Sequence, residues 1–181
     1  MRYKGQTYIL DILDVIRGEH RKAASMLDQA DNCGAGDPEL LDLAERLEYA
    51  LSTHVQIEER LFYSRLRNNV KSEEQLVDVF EAYTEHDVAA HLIDLLRAGK
   101  KPDEKFKAEL QVLGESVKHH IKEEESTVFA IARKLISADE RDDLGEKWTR
   151  ARQRLDAANN GETRPAKTKT KTKTKTKAKS S

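Results

Sequence analysis

Apolar side chains recur at spacings of three and four residues along most of the chain, and the alternation of a half-buried strand is almost absent. One stripe runs Ile9, Leu13, Ile16, His20, Ala24, Leu27, and a second Leu40, Ala44, Leu47, Leu51, His54, Glu58, Leu61. A third runs Leu76, Val79, Tyr83, His86, Ala90, Ile93, and a fourth Phe106, Leu110, Leu113, Val117, His120, Glu124, Val128, Ile131, Leu135. Residues 32–38 break the first stripe from the second and offer Asp37 as a cap ahead of Pro38 in the first turn. Residues 68–72 form the next break, with Ser72 placed to cap a helix opening Glu73-Glu74, and residues 99–103 the one after. Ser137-Ala138-Asp139-Glu140 has the form of a capping box. The pattern predicts helices near 6–30, 38–67, 73–98 and 103–136, with a shorter fifth near 138–158. Long helices with short connections favour an all-α, up-down-up-down four-helix bundle carrying an extra C-terminal helix.

The stripes that should meet in the middle of such a bundle contain four histidines and two glutamates. A single histidine on an apolar face is most often a satisfied core residue. An ionised glutamate there costs several kcal/mol unless it is paired or bound to a metal. Two glutamates, each one turn after a histidine, call for a shared cause. His20 to His54 is 34 residues and so is His86 to His120, while Glu58 and Glu124 each follow their histidine by four. The second set is the first shifted by 66 (20 + 66 = 86, 54 + 66 = 120, 58 + 66 = 124). Flanking residues keep the same shift: Glu19-His20 matches Glu85-His86, Ala23-Ala24 matches Ala89-Ala90, and Glu59 matches Glu125. The chain therefore reads as two duplicated helical hairpins.

Positions four apart share a helix face, so His54 with Glu58 and His120 with Glu124 can reach one centre. Imidazoles suit iron, zinc or copper, and carboxylates can bridge two cations. Two six-coordinate metals offer about twelve positions; four imidazoles and two bridging carboxylates fill about eight, and an oxo or hydroxo bridge about two more. An iron pair with the remaining places open binds small ligands such as dioxygen or nitric oxide.

The segments Glu19-His20, His54-Val-Gln-Ile-Glu58-Glu59-Arg-Leu-Phe62, Glu85-His86 and His120-Ile-Lys-Glu-Glu124-Glu125 resemble the hemerythrin-like, or HHE cation-binding, domain over roughly residues 8–135. The resemblance implies a four-helix bundle around two non-haem iron ions. It implies His20, His54, His86 and His120 as terminal ligands and Glu58 and Glu124 as bridging ones. Oxygen-carrying members have a fifth histidine where this chain has Ala90; His91 is rotated off the stripe and reads as exposed or as a neighbour of the ligands. Those carriers place the last carboxylate five after its histidine, which would select His119, but the stripe phase and the 34-residue repeat select His120. With six ligands rather than seven, ligand sensing, nitric-oxide or peroxide removal, or repair of iron centres fits better than oxygen transport. A metal- or gas-binding protein is favoured over a dedicated enzyme.

Composition narrows the rest. The 181 residues are 38% hydrophobic and 36% charged, enough for one core. One cysteine excludes a disulfide scaffold, and no apolar run reaches the roughly 20 residues of a membrane span, so a cytoplasmic protein is expected. The net charge of −1 conceals a division: residues 162–181 carry Arg164 and seven lysines against Glu162, or +7, leaving −8 on the remainder. The Lys-Thr alternation cannot bury anything, so residues 1–160 are expected to fold and 161–181 to form a disordered tail. Such a tail offers weak, salt-sensitive contact to nucleic acid or an anionic surface, without aromatics to read bases. Ferritin-type E-x-x-H, H-E-x-x-H and glycine-rich phosphate loops are absent. Among the remaining candidates, Glu59, Glu123 and Glu125 read as solvated, with Glu59 and Glu125 placed to orient a ligand histidine. Cys33 reads as an inert thiol, and Tyr8, Tyr49 and Tyr63 as packing residues. Tyr83 reads as the best candidate for a phenol near the metals, Trp148 as the pin of the fifth helix, and Gly18 and Gly114 as glycines a helix tolerates, with close helix approach as the alternative.

Overall fold

The computed structural model describes residues 2–4, 7–99 and 101–162. The helices follow the predicted breaks: α1 Ile12–Asn32, α2 Glu39–Glu58, α3 Ser64–Asn69, α4 Glu73–Ala98, α5 Glu104–Glu123, α6 Phe129–Leu135 and α7 Ala138–Glu162. Two departures matter. Strand β1 (Arg2–Lys4) pairs antiparallel with β2 (Thr7–Ile9), Tyr3 opposite Tyr8, where the periodicity predicts a first helix beginning near residue 6. The helix starts later because Asp11 caps it, its carboxylate accepting from Leu13 N at 2.9 Å, after a β-branched and aromatic run suited to a strand.

The second departure lies inside the predicted second and fourth helices. Each contains one π-helical stretch, Glu59–Tyr63 between α2 and α3 and Glu124–Val128 between α5 and α6. A π turn adds a residue and rotates the remainder of the helix, which is why Phe62 and Tyr63 are fully buried while Leu61, on the predicted stripe, is only half-buried. Caps set the remaining starts. Asp37 accepts from Glu39 N, Asp103 from Phe106 N and Ser137 from Glu140 N, whereas the Ser72 hydroxyl makes no capping bond.

Helix α1 packs on α2 and α5, and α4 packs on α5 and α2, so the long helices close into a ring. Helix α7 lies across α1 and α2. Gly145 makes that approach possible, since a Cβ there would collide with the Leu10 carbonyl. Gly18 and Gly114 do not serve this purpose: Gly18 faces open space apart from Arg21, and Gly114 meets only the Leu27 side chain at ordinary distance.

Among the described residues, two apolar clusters fill the interior. Ile12, Ile16, Phe62, Tyr63, Phe129 and Trp148 anchor one; Leu27, Leu40, Leu43, Leu47, Phe106 and Leu110 anchor the other. Each such side chain contributes about 1.5–3 kcal/mol on burial. The polar residues of the stripes lie between these clusters and are held in place from both ends. Among the described residues, no helix is long and apolar enough to cross a membrane. The basic segment 163–181 lies outside the described residues.

Candidate metal centre

His20 on α1, His54 and Glu58 on α2, His86 on α4, and His120 with Glu124 at the junction of α5 and its π turn are all buried. The fold brings the six together. Glu58 Oε2 lies 3.2 Å from His54 Nε2 and 3.4 Å from His86 Nε2. Glu124 Oε2 lies 3.1 Å from His20 Nε2 and 3.9 Å from His120 Nε2, and the Nε2 atoms of His86 and His120 are 3.2 Å apart. Three overlapping sets have donor atoms within 4.8 Å of one another: His20, His54, Glu58; Glu58, His86, His120; and His20, His120, Glu124.

Every one of these imidazoles presents Nε2 inward and Nδ1 to a carboxylate. His20 Nδ1 is 3.0 Å from Glu125, His54 Nδ1 3.0 Å from Glu19, His86 Nδ1 3.0 Å from Glu59 and His120 Nδ1 2.8 Å from Glu85. The four pairs obey the 66-residue repeat: Glu19–His54 maps onto Glu85–His120, and Glu59–His86 onto Glu125–His20. A carboxylate on Nδ1 fixes the ring orientation and leaves Nε2 as the inward lone pair. The π turns allow this. Glu58 and Glu59 are adjacent, yet one points to the centre and the other to the back of His86, and Glu124 and Glu125 divide the same way.

The inward atoms face one another and no other protein group. His20 Nε2, His54 Nε2, both oxygens of Glu58 and Glu124 Oε2 are buried without a hydrogen bond. Orphaned buried groups of this kind cost about 1–3 kcal/mol each, more when charged. A set of nitrogen and carboxylate oxygen donors converging on one space is the donor chemistry that borderline cations such as iron or zinc take. Without an ion, burial would raise Glu58, but His54 and His86 hold it well below the ordinary carboxylate value. Glu124 is pushed up, by burial and by the charge of Glu58.

Several sequence expectations need correction or extension. Tyr63, expected only to pack, is the phenol at the centre: it is fully buried and donates to Glu124 Oε1 at 2.9 Å. Tyr83 stands behind it, edge-on with ring centres 5.2 Å apart, its hydroxyl 3.5 Å from the Glu59 carbonyl. The π turn explains the exchange, because it rotates Tyr63 inward. Trp148 pins α7 and does more, its indole donating to Glu19 Oε1 at 3.2 Å. Glu19 and Glu85, which the sequence presents only as marks of the repeat, are the carboxylates behind His54 and His120; the recurring Glu-His doublet is the signal that points to them. His119 is exposed, 3.4 Å from Glu85, and His91 is exposed as well. Glu123 is half-buried away from these groups, and the Cys33 thiol, at the end of α1, donates to the Gln29 carbonyl.

Beside the histidines opens a cavity of about 480 Å³, walled by Ala23, Leu51, Ala89, Ala90, Ile93 and Val117. Its rim carries Lys22, Asp94, Arg97 and Arg152.

The profile of the hemerythrin HHE cation-binding domain matches residues 11–132. A protein of Nostoc sp. (strain PCC 7120 / SAG 25.82 / UTEX 2576) described as a DNA nickase is 24% identical over 154 residues, which is 84% of this chain and 42% of that protein. The chain thus spans less than half the length of that relative. No solved structure matches.

Proposed function

The chain belongs to the hemerythrin HHE cation-binding domain family, and from that premise we propose that it holds two iron ions in an up-down-up-down helical bundle and presents them to a small exogenous ligand, dioxygen or nitric oxide. The observation that carries this reading is the set of buried Nε2 and carboxylate atoms aimed into one space, where they face only one another. His20, His54, His86 and His120 would hold the ions through their Nε2 atoms, together with the carboxylates of Glu58 and Glu124. A non-haem iron pair held there would supply reversible ligand binding or one-electron chemistry. The protein's own part is orientation and exclusion. Glu19, Glu59, Glu85 and Glu125 lock the imidazoles, while Tyr63, Phe129 and Trp148 keep bulk water from the side facing the π turns. The alanine-rich cavity on the opposite side, where Ala90 replaces the oxygen carriers' additional histidine, leaves room for a ligand to enter.

Protein reconstituted with ferrous iron without oxygen, then exposed to oxygen or nitric oxide, tests this. Reversible optical changes support a binding or sensing role, and peroxide or nitric-oxide consumption faster than by free iron supports an enzyme. Spectra identical to those of free iron contradict both.

The similarity to a DNA nickase favours a second reading, in which the bound metal and the basic segment 163–181 act on DNA. Lysines there would hold phosphates through counterion release, giving steep salt dependence. Nicking of supercoiled plasmid that is lost in Glu58→Ala and weakened by deleting 163–181 supports it; an intact plasmid at every metal and salt concentration contradicts it.

A further inference from the structure

Among the differences between the two halves of the repeat, one lies against the histidines. Tyr63 corresponds to Phe129 (63 + 66 = 129), and both are fully buried. Each ring stacks on a histidine of its surroundings, Tyr63 on His86 with centres 5.4 Å apart and planes 17° apart, Phe129 on His20 at 6.5 Å and 12°. Only Tyr63 has a hydroxyl, and it donates to Glu124 Oε1. The matching atom in the other half, Glu58 Oε1, is buried with no partner, while Glu58 Oε2 lies 3.2 Å from His54 Nε2. Glu124 therefore has one oxygen held by a hydroxyl, and Glu58 has none. The donor sets point the same way: Glu58 groups with His20 and His54 and also with His86 and His120, whereas Glu124 groups only with His20 and His120.

Resting on the two-cation reading, we propose that Tyr63 makes the two metal positions unequal. Its hydroxyl engages Glu124 Oε1, so that Glu124 would offer a cation chiefly Oε2, while Glu58 would offer both of its oxygens. A phenol O–H donating to a carboxylate draws negative charge toward the shared proton, which weakens the carboxylate's donation to a cation. The metals then load in two steps, one tight and one weaker by about ten- to a hundredfold, the range over which a hydrogen-bonding neighbour of a ligand tunes affinity.

Calorimetric titration of the metal-free full chain with cobalt(II), without oxygen, separates the alternatives. The wild type is expected to take two ions in two resolved steps. Tyr63→Phe strengthens the weaker step and brings the two together. Phe129→Tyr, which sets a hydroxyl toward Glu58, weakens the tight step and decides the matter alone should Tyr63→Phe fail to fold. Two indistinguishable steps in the wild type, or both steps weakened equally by Tyr63→Phe, overturn the inequality while leaving the two-cation reading standing. A wild type that binds no ion overturns both.

Discussion

Trp148 and Glu19 are joined by a hydrogen bond of 3.2 Å from the indole Nε1 to Oε1, linking α7 to the centre. Glu19 Oε2 accepts from Arg152 at 3.1 Å and lies 3.0 Å from His54 Nδ1, while the Trp148 ring sits across the His54 ring with centres 5.3 Å apart. Helix α7 lies beyond the matched region 11–132, yet through one carboxylate it sets the orientation of a histidine inside it. Trp148→Phe keeps most of the ring volume and removes the donor. We expect metal affinity to fall about tenfold, with about 1–2 kcal/mol lost from the metal-free fold, read by metal titration and chemical denaturation.

The carboxylates behind the imidazoles differ from the neighbouring exposed groups. Glu85→Ala leaves His120 Nδ1 without its 2.8 Å partner and is expected to lower metal affinity about ten- to a hundredfold. His119→Ala, with a side chain 62% exposed, is expected to leave affinity unchanged. Equal losses in the two variants would mean that His119 belongs to the site.

Proton competition gives a pH signature with opposite signs for the metal-free and metal-loaded protein. Burial opposes a charge on His54, but Glu58 and Glu19 outweigh it and push the metal-free imidazole from 6.5 up to about 10. His20 and His86 are raised too, by Glu124 and Glu58 respectively, against burial. A raised folded-state value gives stabilisation fully present below 6.5 and lost as pH climbs through the folded value. Glu124, raised by burial and Glu58, acts in the same direction. Glu58 is lowered, so its stabilisation is present above the ordinary 4.5 and lost on acidification. The metal-free protein should melt at higher temperature at about pH 5.5 than at about pH 9. Metal uptake should release protons and tighten as pH rises. A metal-free melting temperature that is higher at the alkaline value would contradict this assignment of charge.

Gly145→Ala tests the seat of α7. The added methyl meets backbone at Leu10 rather than a side chain that can swing away, so about 1–3 kcal/mol of destabilisation is expected in thermal or chemical melts. A neutral effect would mean that α7 docks loosely.

Much of the fold and of the centre is legible in the chain. Periodicity locates the long helices because their apolar faces are continuous, and the 66-residue shift singles out the six inward residues, since burying glutamates twice at one spacing has few other causes. The hidden parts have local reasons. A π turn changes the phase of a helix without any proline or glycine to mark it, so Tyr63 and Tyr83 exchange their expected places. Glu19 and Glu85 sit off the apolar stripe, where a glutamate ordinarily faces water, and only the neighbouring helix shows that each faces an imidazole instead. The strand pair before Asp11 is too short to register as alternation.

The central claim is that six inward donors hold two cations. Elemental analysis of the purified full chain, beside Glu58→Ala/Glu124→Ala and His119→Ala, tests it most directly. The account predicts about two metal ions per chain in the wild type and His119→Ala, with almost none in the double variant. A double variant that retains the wild-type metal content, or a wild type that carries none after reconstitution with ferrous iron, would contradict it.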